Sequence, residues 1–180
     1  LDTAHLDTAS PAGQLADQLD AAGTRVASVP TAVLRAASPV AAPTGIVAIV
    51  RRSPLGADAI VGPAHAFVLL LADVQDPGNL GTLLRVAEAE GVSGVLVCGE
   101  SANPFGWKAV RGSMGSILRL PVARVASVDA ALSLVRTAGL RVVAAVPRDG
   151  VPPDQVTWTG GLALALGGEG AGLSDSLIAS

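Results

Sequence analysis

Short apolar segments alternate with amphipathic ones from Phe67 onward, and this alternation restricts the possible folds more than any other feature of the sequence. FVLLLAD, GVLVCG, LRVVAAV and GLALALG lack the regularly spaced polar residues of a strand with one face in water. Such strands are buried on both faces, as in parallel sheets covered by helices. Between them, NLGTLLRVAEAEG and SVDAALSLVRTAG carry apolar residues at helical spacing. We therefore predict an α/β domain with helices on both faces of a parallel sheet.

The ends of several predicted elements carry residues typical of those positions. Pro121 interrupts RLPVARV, so this strand is predicted to lie at an edge of the sheet, where a missing N–H is tolerated. Ser127 and Gly139 flank one helix as predicted N-cap and C-cap. WKAVRGSM predicts a short helix, and LSDSLIAS predicts the start of a last one.

The first sixty or so residues predict a smaller α/β unit. GQLADQLDAAG and TAVLRAAS have helical spacing, whereas TRVASVP and TGIVAIVRR predict strands, the second strongly because of its β-branched residues. Residues 53–64 contain two prolines, two glycines and few large apolar side chains, which is typical of a linker. The predicted domains are residues 1–62 and 66–180.

Composition excludes several classes of protein. Half of the 180 residues are hydrophobic and only 15% are charged, which is enough apolar material for a core. No apolar run approaches the roughly 18 residues of a membrane span, and no signal sequence is recognisable. Cys98 is the only cysteine, so an internal disulfide or a cysteine-based metal cluster is excluded. We predict a soluble cytoplasmic protein without a metal site, with Cys98 as a small buried side chain.

The charge of the chain is unevenly distributed. The net charge is −3, yet residues 101–148 hold seven basic residues and a single acid, Asp129. Such a local excess is what an anionic partner would need, but a solvated basic face balanced by acids elsewhere is equally compatible with it. The basic residues are Lys108, Arg111, Arg119, Arg124, Arg136, Arg141 and Arg148.

LALALGGEGAGLS, at residues 162–174, is an apolar strand followed by a glycine cluster. Its spacing, Gly168-x-Gly170-x-Gly172, differs from the G-x-G-x-x-G of dinucleotide-binding loops. Glu169 would repel a pyrophosphate, and the loop follows the last predicted strand rather than the first. A dinucleotide site is therefore disfavoured, although a plain tight turn does not explain four glycines around one acid.

The segment DVQDPGNLGTLLR begins at the end of a predicted strand. Pro77 and Gly78 predict a turn, and Asn79 is placed to cap the following helix. Arg85 follows six residues later, near the carboxyl end of a parallel strand, where open α/β sheets bind ligands. Its planar fork suits phosphate or carboxylate. The alternative is a structural arginine paired with one of three acids, Asp73, Asp76 or Glu88.

Together, the two segments resemble the SpoU/TrmH family of RNA ribose 2′-O-methyltransferases, of the SPOUT class. DVQDPGNLGTLLRVAEAEG is similar to the family's motif 1, and LALGGEGAGLS to its motif 2, although many relatives carry asparagine in place of Gly168. NPFGWKAVRGSMGSILRLPV, between them, resembles the family's basic segment. The resemblance runs from Phe67 to Leu173. TGIVAIVRR is similar to the strand that closes the family's small L30e-like RNA-binding domain.

The resemblance implies transfer of a methyl group from S-adenosylmethionine to a ribose 2′-hydroxyl in structured RNA. Ribosomal RNA is the first choice of substrate and transfer RNA the second; a catalytically silent RNA-binding relative and an unrelated nucleotide-dependent α/β enzyme remain alternatives. The family forms homodimers with a carboxyl-terminal trefoil knot. We expect the knot segment, with the family's motif 3, to lie largely beyond residue 180.

The resemblance also implies roles for individual residues. Arg85 would orient the 2′-hydroxyl and an adjacent phosphate, since a guanidinium is a poor general base. Asn79 would shape the site, and Glu169 would bind Asn79, Arg85 or loop amides. Independently of the resemblance, Trp107 beside Lys108 could stack on a base, although a core or dimer contact is the favoured interpretation. The backbone of Leu166, Gly167 and Gly168 and the opposing Ala145 and Val146 would bind the cofactor, and Lys108 and Arg111 would contact RNA.

Overall fold

The computed structural model describes residues 10–53, 55–170 and 172–178, which form two compact units divided between Arg52 and Ser53. The first unit contains two helices, α1 (Pro11–Ala21) and α2 (Thr31–Ala37). The hydroxyl of Ser10 begins α1 by accepting the N–H of Gly13 at 3.0 Å. Both helices were predicted.

The two strands predicted in the first unit are absent from its described residues. Neither TRVASVP nor TGIVAIVRR is a strand in the structure: Val29 lies in an isolated bridge, and Gly45 bends the chain with a φ of 92°. The two segments instead line an apolar cavity of about 440 Å³ together with α1 and α2. Ile49, in the second segment, is 99% exposed. β-branched residues favour strands where a neighbouring strand takes up the backbone hydrogen bonds, and neither segment belongs to a sheet of the described residues.

The second unit is built on a five-stranded parallel sheet, in the order β3-β2-β1-β5-β4. Leu69, at the centre, lies opposite Val95 on one neighbouring strand and Leu164 on the other. Every residue of the second strand is buried, as its unbroken apolar sequence predicts. The strands are β1 (Phe67–Ala72), β2 (Gly94–Cys98), β3 (Val122–Val125), β4 (Arg141–Ala144) and β5 (Leu162–Gly167).

Helices cover both faces of this sheet, which confirms the predicted α/β architecture. One apolar cluster packs α3, α6 and α7 on one face, and a second packs α4 and α5 on the other. β3 lies at a sheet edge directly after Pro121, as predicted. The helices are α3 (Ala57–Val61), α4 (Pro77–Ala89), α5 (Trp107–Gly112), α6 (Val128–Thr137) and α7 (Asp175–Ile178), with 3-10 turns at Ser116–Leu118 and Pro153–Gln155.

The predicted linker forms part of the second unit. Ile60 and Val61 of α3 are buried in the apolar cluster on the α6 face. Ile60 lies so close to β2 that a Cβ on Gly94 would come within 2.7 Å of its side chain. The division between the two compact units therefore falls ten residues before the predicted domain end at residue 62, because two apolar residues in a proline- and glycine-rich segment are enough to attach it to the sheet.

The caps of α6 follow their prediction. The hydroxyl of Ser127 accepts the N–H of Ala130 at 3.1 Å. Gly139 follows the helix in a left-handed conformation, with φ of 73°. None of the helices in the described part of the chain has the length and apolar character needed to cross a membrane.

The strand order reverses between β1 and β5. From β1 the chain moves outward through β2 to β3. It then crosses to the opposite edge of the sheet, where it forms β4 and then β5 next to β1. Parallel sheets bind ligands outside the carboxyl ends of the strands at such a reversal. The segments that follow β1 and β5 are the two that resemble the methyltransferase motifs.

Candidate active site

The first turn of α4 is capped by Asp76, not by Asn79 as predicted. The Asp76 carboxylate accepts the N–H of Asn79 at 2.8 Å. Pro77 occupies the first helical position, where its fixed φ and missing N–H are tolerated, so the helix begins three residues earlier than predicted. An aspartate directly before a proline is the sequence signal that identifies this cap.

Capping by Asp76 leaves the Asn79 side chain available for a tertiary contact. The Asn79 amide Nδ2 donates a hydrogen bond to the Glu169 carboxylate. This bond joins residues ninety positions apart, the first turn of α4 and the glycine loop that follows β5. Of the three partners proposed for Glu169, the structure selects Asn79.

The glycine loop folds back on the end of β5. Gly168 and Gly172 form an antiparallel bridge, in which the Gly172 N–H donates to the Gly168 carbonyl at 3.0 Å. A Cβ on Gly167 would lie 2.1 Å from the backbone of Gly172. The return of the chain therefore requires glycine at position 167, which explains part of the cluster without a ligand.

Gly168 approaches the backbone that follows β1. A Cβ at this position would lie 2.1 Å from the carbonyl oxygen of Asp73. Because that neighbour is backbone rather than a flexible side chain, no residue other than glycine fits without moving the loop. An asparagine at this position would thus require a different path of the loop or of the β1 end.

Asp73 connects the ends of three strands, a role that the sequence did not suggest. It follows β1 in a left-handed conformation, with φ of 57°, which aspartate tolerates better than most residues. Its carboxylate accepts the N–H of Glu100, after β2, at 2.8 Å. Its carbonyl lies against Gly168, after β5. An aspartate directly after a buried strand is a weak signal for such a position.

Cys98 is buried at the end of β2, as predicted. Its thiol lies 3.4 Å from the Leu71 carbonyl, to which it donates a weak hydrogen bond. Burial, and secondarily the charge of Asp73, raises the pKa of the Cys98 thiol to about 12. The thiol is therefore protonated at neutral pH and cannot act as a nucleophile.

Arg85 is exposed on α4 and forms no hydrogen bond or ion pair with a described residue. The three acids predicted as alternative partners have other contacts: Asp73 binds the Glu100 amide, Asp76 caps α4, and Glu88 pairs with Arg119. Six helical residues separate it from Asn79, so the two side chains leave α4 about 120° apart. Arg85 is thus available to an incoming anion, on another side of α4 from the Asn79–Glu169 bond.

Glu88 is the acid closest to Arg85 along α4, and it is fully engaged. The Arg119 guanidinium binds both of its carboxylate oxygens, with Nη2 at 2.7 Å from Oε2. Hydrogen bonds from Arg119 and Ser116 lower the pKa of Glu88 to about 2. This pairing keeps the carboxylate from neutralising Arg85 one turn away.

α5 carries the two predicted RNA contacts, Lys108 and Arg111, both of which are exposed. The helix lies against α4 at Gly81, where a Cβ would be 2.6 Å from the Ala109 carbonyl. Arg85 is four residues after Gly81 and therefore on the same side of α4, one turn further. Arg85, Lys108 and Arg111 are thus exposed residues of two helices that pack against each other, and we call these three residues the α4–α5 surface.

The residues predicted to bind a cofactor lie at the ends of β4 and β5. The Ala145 N–H donates to the Ala165 carbonyl at 2.9 Å, and the pairing of the two strands stops there. The backbone N–H and C=O groups of alternate residues in a strand point to the same side. The groups of Gly167 therefore point to the same side as those of Ala165, into the space beyond the end of β4. Among the described residues no hydrogen bond occupies them on that side.

This open strand edge fits a ligand that is recognised by backbone groups. Val146 is partly buried and Ala145 is exposed beside the edge, and Leu166 is partly buried on β5. A cofactor held here would meet apolar side chains and backbone donors and acceptors. No cluster of three or more potential metal ligands occurs among the described residues.

Comparison with known proteins agrees with this arrangement. Residues 66–180 match the model of the SpoU rRNA methylase family. The chain is 35% identical over 170 residues to an uncharacterized tRNA/rRNA methyltransferase, slr1673, of Synechocystis, covering 91% of this chain and 59% of that protein. It is 30% identical over 157 residues to the 23S rRNA (uridine(2479)-2'-O)-methyltransferase of Streptomyces viridochromogenes, covering 84% and 55%.

A solved structure shares the fold as well. The AdoMet-bound rRNA methyltransferase of Sinorhizobium meliloti superposes with a TM-score of 0.81 at 31% identity, covering 94% of this chain and 65% of that one. The chain therefore spans between 55% and 65% of the length of these three relatives. The family model covers the whole sheet and both segments of the candidate site, and we conclude that the chain belongs to the SpoU rRNA methylase family.

Proposed function

We propose that this protein transfers a methyl group from S-adenosylmethionine to a ribose 2′-hydroxyl of structured RNA. The observation that carries the proposal is the Asn79–Glu169 hydrogen bond, which joins the motif 1 helix to the motif 2 loop at the strand-order reversal. The cofactor, when bound, supplies an electrophilic methyl group. Its site would be the open edge at the ends of β4 and β5, formed by Ala145, Val146 and the backbone of 166–168.

The chain's own residues would position the two reactants. Asn79 and Glu169 hold the glycine loop against the first turn of α4, and so fix the backbone of Gly167 and Gly168 before a ligand arrives. Preformed polar groups of this kind lose little entropy when they bind. The loop would thus be a rigid wall of the methyl-donor site.

Arg85 would position the RNA. Its guanidinium has no hydrogen-bond or ion-pair partner among the described residues. It can donate to the 2′-oxygen and to a neighbouring phosphate at the same time, which aligns the oxygen for in-line attack. The 2′-oxygen would form its bond to the methyl carbon as the carbon–sulfur bond of the cofactor breaks, with the neutral thioether as leaving group. The hydroxyl proton would pass to solvent water, and the positive charge of Arg85 would favour that loss.

Ribosomal RNA is the preferred substrate in this proposal. The S. viridochromogenes relative is a 23S rRNA 2′-O-methyltransferase by name, and the S. meliloti structure is described as an rRNA methyltransferase. Transfer RNA is the second candidate, since the name of the Synechocystis relative leaves both open. Lys108 and Arg111 on the α4–α5 surface would contact the RNA backbone.

Several further features of the family complete the proposal. We infer an L30e-like RNA-binding role for the first unit, a homodimer, and a trefoil knot that encloses the cofactor. We also place the protein in the cytoplasm, where ribosomal RNA is available. Sedimentation of the full-length protein tests the dimer, and cofactor affinity measured by calorimetry tests the methyl-donor site.

The decisive experiment compares Arg85→Ala with Arg136→Ala, an exposed arginine at the end of α6 on the opposite face of the sheet. Ribosomal RNA from cells that lack the gene is incubated with radiolabelled S-adenosylmethionine and each protein. We expect Arg85→Ala to bind the cofactor normally but to lose roughly 100-fold or more in methyl transfer, as for loss of a positioning donor. Arg136→Ala should retain wild-type activity.

Two outcomes would contradict the proposal at different points. Wild-type transfer by Arg85→Ala would refute the role of Arg85 but leave the activity intact. Failure of the wild-type protein to bind S-adenosylmethionine in calorimetry would refute the methyltransferase activity itself. Mapping 2′-O-methylation in the RNA of the deletion strain would identify the target nucleotide.

A further inference from the structure

The two tryptophans of the chain have different surroundings, although both are half exposed. Trp158 is 45% exposed, and its indole N–H donates to the Pro153 carbonyl at 2.8 Å. Trp107 is 43% exposed, and its indole N–H has no partner among the described residues. The indole N–H of Trp158 therefore has a local acceptor, whereas Trp107 presents both an apolar ring and an indole N–H without a described partner to the solvent.

Trp107 is also placed beside two cations. The Lys108 Nζ lies 5.7 Å from the centre of its ring, and the Arg111 Cζ lies 6.0 Å from it. Neither cation forms an ion pair with a described residue. Burying two unpaired cations against another protein's apolar surface would be costly, whereas phosphate groups would neutralise them. The charge around the ring is thus complementary to a nucleic-acid strand.

The backbone that carries Trp107 is held rigidly. Ala109 is fully buried in α5. A Cβ on Gly112 would lie 3.2 Å from the Gly78 carbonyl, and one on Gly81 would lie 2.8 Å from Gly112. The α5 backbone therefore touches that of α4, so the position of Trp107 relative to α4 is fixed within narrow limits.

Arg85 lies close to this contact. It follows Gly81 by four residues, about 6 Å along the α4 axis and on the same side. A strand whose target ribose lies at Arg85 would have neighbouring nucleotides beside α5. Aromatic rings next to basic residues bind unpaired bases by stacking, because every base has a flat face and double-stranded RNA does not expose it.

We propose that Trp107 is a stacking platform for an unpaired base next to the methylated nucleotide, and that Lys108 and Arg111 hold the flanking phosphates. This inference rests on the proposed RNA methyltransferase function. It defines the substrate more narrowly, as a target nucleotide in a loop, bulge or other single-stranded segment. If the nucleotides on both sides of the target were base-paired, their bases would not reach the ring.

The test uses the small number of aromatic residues in the chain, which has two tryptophans and no tyrosine. In the full-length Trp158→Phe variant, Trp107 is the only tryptophan left among residues 1–180, and its fluorescence reports stacking directly. The probes are an oligouridylate of about 12 nucleotides, the size bound by typical single-strand sites, and the duplex that it forms with oligoadenylate. The Trp158→Phe variant should bind the single strand like the wild type.

We expect the single strand to quench Trp107 fluorescence and the duplex to leave it nearly unchanged. Trp107→Ala should weaken single-strand binding roughly tenfold, and Trp107→Phe should recover part of the loss because its ring can still stack. Lys108→Ala or Arg111→Ala should each make the slope of log affinity against log salt concentration shallower by about one, as expected for the loss of one phosphate contact. Trp107→Ala should leave this slope unchanged.

Equal quenching by duplex and single strand, or an unchanged affinity in Trp107→Ala, would overturn the inference. Quenching that depends on protein concentration without RNA would overturn it as well, in favour of a contact between copies of the chain. Methyl transfer measured in parallel separates the two proposals. Normal transfer by Trp107→Ala would overturn only the stacking role, whereas absence of transfer by the wild-type protein would overturn the proposed function.

Discussion

The glycine-loop region and the α4–α5 surface lie on different flanks of α4 and differ in how their polar groups are used. In the loop region, Glu169 and Asn79 are bonded to each other, and Asp73 binds the amide that follows β2. On the α4–α5 surface, Arg85, Lys108 and Arg111 form no ion pair with a described residue, and Lys108 and Arg111 contact the ring of Trp107.

This difference separates two functions that one site must combine. Groups that have already found partners hold the backbone in place, which suits a pocket for a neutral or zwitterionic cofactor. Cations that form no ion pair can be neutralised by the phosphate groups of a polyanionic substrate that arrives from solution. Substitutions in the bonded region should therefore have larger effects on the fold and the cofactor than substitutions on the open side.

Gly168→Ala should have the largest effect. Its Cβ would lie 2.1 Å from the Asp73 carbonyl, so the loop must move. We expect loss of S-adenosylmethionine binding and about 2 kcal/mol of destabilisation, measured by calorimetry and urea unfolding. Gly56→Ala is the matched control, since that glycine has an ordinary φ of −68° and open space around it. Equal behaviour of the two variants would contradict the close approach of the loop to β1.

Substitutions that alter the Asn79–Glu169 hydrogen bond should have an intermediate effect on cofactor binding. Asn79→Asp brings two carboxylates together and should weaken cofactor binding by about tenfold, on the scale of a lost hydrogen bond with added repulsion. The double variant Asn79→Asp, Glu169→Gln reverses donor and acceptor and should recover most of the affinity. If the double variant binds no better than Asn79→Asp alone, the contact has no part in holding the loop.

Glu88→Gln, on α4 outside the glycine-loop region, should have the smallest effect on stability, and the size of this effect should depend on pH. The folded-state pKa of Glu88 is lowered from 4.5 to about 2. The stability that this group contributes is therefore present above about pH 4.5 and lost as the pH falls towards 2. The melting temperature of Glu88→Gln should fall slightly below that of the wild type at pH 6, and the two should converge near pH 2. A constant difference across this range would exclude the Arg119 pair as its cause.

The contrast between the two compact units shows when strand prediction succeeds. GVLVC forms a fully buried strand because neighbours on both sides take up its backbone groups. TGIVAIVRR is as rich in β-branched residues, yet it forms no strand in the first unit and exposes Ile49. A strand was predicted for both segments, but only the first forms one among the described residues, because pairing depends on residues outside the segment.

The candidate site was likewise only partly predictable. Asn79, Arg85 and Glu169 were identified from the two segments, but Asn79 was assigned the cap that Asp76 provides. The error was local, because Asp76-Pro77 is itself a recognisable helix start. The role of Asp73 was missed for another reason: its left-handed backbone matters only because two other strand ends meet it.

The sequence by itself determined the α/β class, the parallel sheet, the existence of α4, α5, α6 and α7, and the chemical groups available at the site. Periodicity and capping are local properties, so the chain displays them without reference to its fold. Only the tertiary structure decided that Glu169 binds Asn79 ninety residues away, and that Arg85 has no described partner. Both outcomes depend on the strand order, which places β5 beside β1, and no local pattern of residues encodes that order.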